Sequence, residues 1–370
     1  MRRSDISLIG RRATLGLLAS LTAAGVFPRR VAAATKVQVG YLPVCAMSSI
    51  YLEAAKPWAG GADLEVEPLR LQAGPVIVQA IQSGSIPMGE IACTVALSLA
   101  SRGIPIICLV NYSNVTRNFP YLRIMVAKGS ALRSVAELEG KTVGVVLLGT
   151  IDHLLLLAAL RQASVDPKRV NVVALPVPNQ PQALASGQVD AMMMAAPADT
   201  VAEIEYGARM LSDATQAVPY YPLECVVADE KWVKKNPDLV RRLAAGWIKA
   251  SRWISANQAE ARAVAGRVLD LKPTIAAQMR LPHWSANGLP VMPGVWNLYY
   301  LLVSNGVIDA VPDPAAMIQR YFIEPTIRYV LPALSDIGRV ADPETDRLRR
   351  IPLPSLPHPP ETYLGPWEKA

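Results

Sequence analysis

Between residues 36 and 194 the apolar positions follow two alternating rhythms. Short β-branched runs such as Lys36-Val37-Gln38-Val39-Gly40-Tyr41 give way to stretches whose apolar residues fall three and four apart. A first pass of this pattern predicts a strand over 36–42, a helix over 47–57, a strand over 63–70, a helix over 75–83 and a strand over 86–91. A second pass predicts the same order at 141–147, 151–163, 170–176, 180–186 and 189–194. The two passes share wording as well as rhythm. Gln79-Ala80-Ile81-Gln82-Ser83-Gly84 returns 103 residues later as Gln182-Ala183-Leu184-Ala185-Ser186-Gly187. Each copy reads as a helix stopped by a glycine in the left-handed C-cap conformation, followed by a short strand. Strands alternating with helices imply parallel sheets covered on both faces.

Proline marks two places where the chain would pass between the halves, Asn118-Phe119-Pro120-Tyr121 and Pro219-Tyr220-Tyr221-Pro222. After residue 222 the pattern turns helical. Asn236-Pro237-Asp238 opens a helix carrying Leu239, Leu243, Ala244, Trp247 and Ile248, and further helices are predicted near 257–270, 274–280, 293–305, 313–322 and 325–333. Seven prolines between Pro343 and Pro366 make the end of the chain read as an extended tail.

Composition narrows the function. Hydrophobic residues make up 51% of the 370 and charged residues 18%, which fits a globular chain of about two domains. The net charge of +7 is local: residues 1–34 hold six arginines and one acid, and the remainder carries 31 basic against 29 acidic residues. That balance leaves no footprint for nucleic acid. The arginines flank an export signal. Arg11-Arg12 precede an apolar run from Ala13 to Phe27, and Val31-Ala32-Ala33-Ala34 supplies small residues at a cleavage site. The order matches a twin-arginine signal, with the mature chain beginning near Thr35 and destined for the periplasm. Four scattered cysteines and three histidines form no metal or redox motif, so no cofactor or metal is expected, and the spacing leaves disulfide pairing open.

Several stretches, taken in order, resemble the solute-binding proteins of ABC importers in the nitrate/sulfonate/taurine group. They are Val37 to Pro43, Gln79 to Glu90, Ser134 to Val145, Ala183 to Ala191 and Asn236 to Arg242. The resemblance implies a two-lobed type II periplasmic binding protein fold of the α/β class. It also implies a small-molecule ligand held between the lobes and an ABC permease in the membrane as partner. The expected organisation is an export signal over 1–34, lobe 1 from 35–118 and 222–335, lobe 2 from 119–221, and a proline-rich tail over 336–370. A monomer is expected.

In such a fold the ligand meets loops at the carboxyl ends of strands, where helix N-termini offer free N–H groups. The candidate loops bring Pro43, Val44, Ala46, Met47 and Ser48 after the first strand, and Gly74 and Pro75 before the next helix. Glu90, Ala92 and Thr94 follow the Met88 strand; Gly149, Thr150, Asp152 and His153 open a leucine-rich helix; Ala195 and Ala196 follow Met192-Met193-Met194. Each has a structural reading too. Thr150 serves equally as an N-cap with Asp152 favouring the helix dipole, and Cys45 and Cys93 read as buried thiols. Small residues at Ala195-Ala196 and the apolar Val44, Ala46 and Met47 point to a roomier pocket for an organic ligand. Glu90 and Asp152 oppose a dianion, which leaves a heterocycle, an amine or an organic monoanion such as a sulfonate or carboxylate. No nucleophile elbow, zincin or Walker motif is present, so catalysis is not expected. A ligand-sensing protein signalling to a membrane receptor is the alternative, with a periplasmic enzyme on the same fold as the remaining one.

Overall fold

The computed structural model describes residues 34–52 and 63–348. Residues 1–33 of the export signal, residues 53–57 of the helix expected over 47–57, and residues 349–370 of the tail lie outside the described residues.

The first half of the chain runs β1 (Thr35–Tyr41), a buried 3-10 turn (Ser48–Tyr51), β2 (Leu64–Arg70), α1 (Gly74–Gln82), β3 (Met88–Ala92), α2 (Cys93–Ser101) and β4 (Ile106–Asn111). Then β5 (Ser113–Thr116) leads away to β6 (Arg123–Val126), β7 (Thr142–Val145), α3 (Ile151–Gln162), β8 (Asn171–Ala174), α4 (Gln180–Ala185), β9 (Ala191–Met194), α5 (Ala198–Tyr206) and β10 (Arg209–Asp213). The chain returns through β11 (Tyr220–Pro222) into β12 (Glu224–Asp229), then α6 (Glu230–Lys235), α7 (Pro237–Ala256), α8 (Gln258–Val268), α9 (Pro273–Gln278) and β13 (His283–Trp284). It finishes with α10 (Met292–Ser304), α11 (Pro314–Ile318), α12 (Leu331–Ile337) and α13 (Pro343–Leu348). Among the described residues no helix is long and apolar enough to cross a membrane.

Two five-stranded sheets organise these elements, in the orders β2-β1-β3-β12-β4 and β10-β6-β9-β7-β8. The sequence echo is a structural one. Both helix ends close through the same pair of hydrogen bonds: Ser85 N to Ala80 O and Gln188 N to Ala183 O at the outer position, Gly84 N to Ile81 O and Gly187 N to Leu184 O at the inner one. Gly84 and Gly187 have φ of 76° and 75°, which a Cβ would penalise. The strands that follow take equivalent places, with Val39 opposite Met88 and Val143 opposite Ala191 in parallel register. Helix and strand must pass close here: a Cβ on Gly89 would lie 2.3 Å from Ile77 Cγ2.

Both sheets are mixed rather than all parallel. β12 lies antiparallel between β3 and β4, and β6 and β10 run antiparallel in the second sheet. β12 corrects the expectation that helix begins straight after residue 222. Its Cys225-Val226-Val227-Ala228 is fully buried on both faces, so it carries no alternation to betray a strand. The crossing segments lie beside each other as well, since β5 and β11 pair antiparallel and β13 completes a three-stranded ribbon. The 47–57 helix shrinks, within the described residues, to the 3-10 turn Ser48–Tyr51. The start of the tail is not simply extended either. Asp342 is buried, accepts from Ala286 N at 2.9 Å and lies 3.0 Å from His283 Nε2, and Asn118 donates to Glu344 at 3.1 Å. These contacts hold α13 against the crossing ribbon.

Candidate functional site

A cavity of about 540 Å³ opens between the two sheets. One wall comes from the loop after β1, the end of β2, the start of α1 and the β3–α2 junction. The facing wall comes from the loop after β7, the first turn of α3, the Pro176-Val177-Pro178 segment and the end of β9. Tyr121-Leu122 and Leu223-Glu224, next to the crossing strands, close the floor between them. Side chains such as Leu42, Val44, Leu71, Val95, Leu122 and Leu147 make most of the surface apolar.

Of the residues singled out in the sequence, Pro43, Val44, Gly74, Pro75, Ala92, Thr150, Asp152 and Ala195 lie on this wall. Pro75 occupies the first turn of α1, where its missing N–H costs nothing. Asp152 is 3% exposed and accepts from Val146 N and the Thr150 hydroxyl, so the α3 entry consumes both of its oxygens. Burial raises its carboxyl above the ordinary range in spite of those bonds. Thr150 stands at the N-cap position but does not cap the helix through its side chain. Its hydroxyl reaches back to Leu147 O at 2.6 Å and across to Asp152.

The other candidates are placed elsewhere. Ala46, Met47 and Ser48 are fully buried under the β1 loop, and Ala196 behind the end of β9. Tyr121 donates to the Ala196 carbonyl at 2.9 Å, so that carbonyl is already engaged. Glu90 points into the protein, not the cleft. It accepts from the Ser48 hydroxyl, from Ser49 N at 3.1 Å and from Trp247 Nε1 at 2.8 Å, and burial pushes its carboxyl up. Thr94 is buried at the start of α2. Gly149, at φ 84°, donates its N–H to His153 Nδ1 at 3.0 Å, and partial burial lowers the imidazole below its usual value. Both residues shape the turn rather than the wall.

All four cysteines are unpaired and buried. Burial pushes the Cys45 thiol up to about 12, which removes it as a nucleophile near neutral pH.

Arg70, Tyr121, the Pro176–Pro178 segment and, above all, Glu224 line the cavity without being among the candidates singled out in the sequence. Glu224 begins β12 on the cavity wall and is 6% exposed, and its Oε2 has no hydrogen-bond partner. Desolvation, with the Glu90 charge behind it, holds this carboxyl well above its ordinary 4.5. A lone acid at the head of an apolar run, two residues after the second crossing, was the available signal.

This shift has a signed consequence. A carboxyl that keeps its proton more tightly in the folded state contributes fully below its unfolded value of about 4.5. That contribution is lost as pH rises through the folded value. The unfolding free energy of the native protein minus that of Glu224→Gln should therefore fall as pH rises from about 4.5 towards neutrality. Urea unfolding of both proteins at matched pH values measures it; a flat or rising difference contradicts the placement.

A taurine-binding periplasmic protein of Escherichia coli is 26% identical over 240 residues, covering 64% of this chain and 72% of its own. A periplasmic binding protein assigned to an ABC transporter of Brachyspira hyodysenteriae is 28% identical over 235 residues, covering 60% of this chain. The chain spans only 62% of the length of that relative. Among solved structures, the periplasmic nitrate-binding protein of Synechocystis superposes with a TM-score of 0.69 at 14% identity, covering 82% of this chain and 89% of its own. A desulfurization enzyme shares the fold too, with a TM-score of 0.61 at 17% identity, covering 81% of this chain and 99% of its own. These likenesses establish the periplasmic binding protein fold. The model of the NMT1-like family matches residues 31–269, well over half of the sequence, and the chain belongs to that family.

Proposed function

We propose that this protein is the extracytoplasmic solute-binding component of an ABC importer, taking one small organic molecule between two lobes and delivering it to a membrane permease. The observation that carries the reading is the largely apolar cavity of about 540 Å³ walled by strand-end loops of both sheets. A cavity of that size suits a small organic molecule, and strand carboxyl ends are where α/β folds receive ligands. The relatives add support, since two of them are periplasmic binding proteins by name. In this reading the bodies built on the two sheets are the lobes, and β5 with β11 forms the hinge that lets them close. A monomer exported through the residue 1–34 signal completes the scheme.

Catalysis is not part of it. The desulfurization enzyme shows that the fold admits chemistry. Here the lining, among the described residues, holds no histidine or cysteine to work with the unpartnered Glu224, Asp152 is committed to its own helix, and the Cys45 thiol is buried.

The test is a melting-temperature screen of the purified protein with sulfonates, carboxylates, amines, pyrimidines and aromatic acids. A ligand at about 100 times its dissociation constant adds about 2.7 kcal/mol of stability. One class should raise the melting temperature and be recovered chemically unchanged. Recovery of a converted product would contradict the reading.

A further inference from the structure

The polar groups on the cavity wall are few, and their existing partners say what is left for a ligand. Among the described residues the wall carries two carboxyls, Asp152 and Glu224, and one cationic side chain, Arg70. Asp152 is committed to Val146 N and Thr150. Glu224 is not. Its main chain is pinned on both sides, the N–H donating to Ser113 Oγ at 3.2 Å and the carbonyl accepting from Asn111 Nδ2 at 3.2 Å. Its side-chain Oε2 stays buried without a partner. Arg70 ends β2 on the exposed side and makes no ion pair with Glu224. At the solvent edge its charge is screened and does little to neutralise a buried acid.

A carboxyl removed from water and left unpaired holds its proton, and a positive charge at hydrogen-bond distance draws it into the ionised form. We infer that the cavity takes an organic ligand bearing a protonated nitrogen, an ammonium or amidinium group, and that Glu224 is its counter-ion. The surrounding aliphatic side chains take the ligand's apolar body, and the low dielectric they create strengthens the pair. An anionic ligand at that end opposes the ionisation of the same carboxyl and gains no ion pair from it. This assignment rests on the proposed binding role of the cavity and specifies the chemistry it selects.

The experiment titrates the purified full chain by calorimetry with three probes on one scaffold: phenethylamine, 2-phenylethanol and 2-phenylethanesulfonate. The amine should bind at least about tenfold more tightly than the alcohol, as a hydrogen bond to a charged group is worth at least that factor, and the sulfonate should bind least. In Glu224→Gln, which keeps shape and removes charge, the amine should lose at least about tenfold while the alcohol is little changed. The native-protein series stands without the variant, so a poorly folding Glu224→Gln leaves the charge ranking as the test. Tightest binding of the sulfonate, weakened by Arg70→Ala and untouched by Glu224→Gln, would overturn the assignment and keep the binding role. Equal binding of all three probes would overturn it likewise, and no binding of any would count against both.

Discussion

Replacing Arg123 with alanine should lower the unfolding free energy by about 3–5 kcal/mol, because it strands a buried carboxylate. Arg123 sits on β6 and is 1% exposed. Its Nε and Nη2 donate to Asp199 Oδ2 at 2.8 and 2.5 Å, while Nη1 and Nη2 reach Glu203 at 2.6 and 2.9 Å. Asp199 is fully buried in the first turn of α5, so without the guanidinium it has no comparable counter-charge. Glu203 is partly exposed and keeps a second cation, Arg280, at 3.7 Å. The loss should therefore trace to Asp199. Urea unfolding of Arg123→Ala and of the pair Arg123→Met with Asp199→Leu separates the causes. The double variant should recover most of the stability, since apolar residues of similar volume replace buried ion pairs at little cost. A single variant within about 1 kcal/mol of the native protein would mean that Arg123 behaves as a surface ion pair does.

That cluster also matters for the cavity. It ties α5 to β6, and α5 begins immediately after the Ala195-Ala196-Pro197 turn. The wall position of Ala195 is thus fixed from behind by the buried charges and from the side by Tyr121, whose hydroxyl holds the Ala196 carbonyl.

The parts of the structure legible in the sequence are those where local chemistry and position agree. Ser83-Gly84 and Ser186-Gly187 announce helix ends because only the left-handed glycine completes the paired hydrogen bonds found there. The glycines and β-branched residues of β1 and β7 then fix the parallel pairing with β3 and β9. Parts decided by distant partners were not legible. β12 is identified as a strand by β3 and β4 on either side, not by its own pattern. The same limit applies at the cavity. Val44, Gly74, Thr150 and Ala195 stand where a strand ends or a helix begins, and that much follows from the element order. Glu90 shares the β3 strand with Ala92, but its depth under Ser48 and Trp247 is set by α7, more than 140 residues later in the chain. The start of the tail misled for a related reason. Its prolines suggested an extended segment, whereas Asp342 and Glu344 find partners on β13 and beside β5.

The central claim is that the ligand lies in the cavity between the two sheets, and filling that space tests it most directly. Ala195 is half-buried on the wall at the end of β9, so a large side chain there has room to project into the cavity instead of the core. Ala195→Trp should raise the dissociation constant, by calorimetry, at least about a hundredfold for the compound giving the largest melting shift, a loss of about 2.7 kcal/mol. The variant's own melting temperature, without ligand, should stay within a few degrees of the native value. Binding of the same compound to Ala195→Trp with native affinity would place the ligand elsewhere and contradict the account.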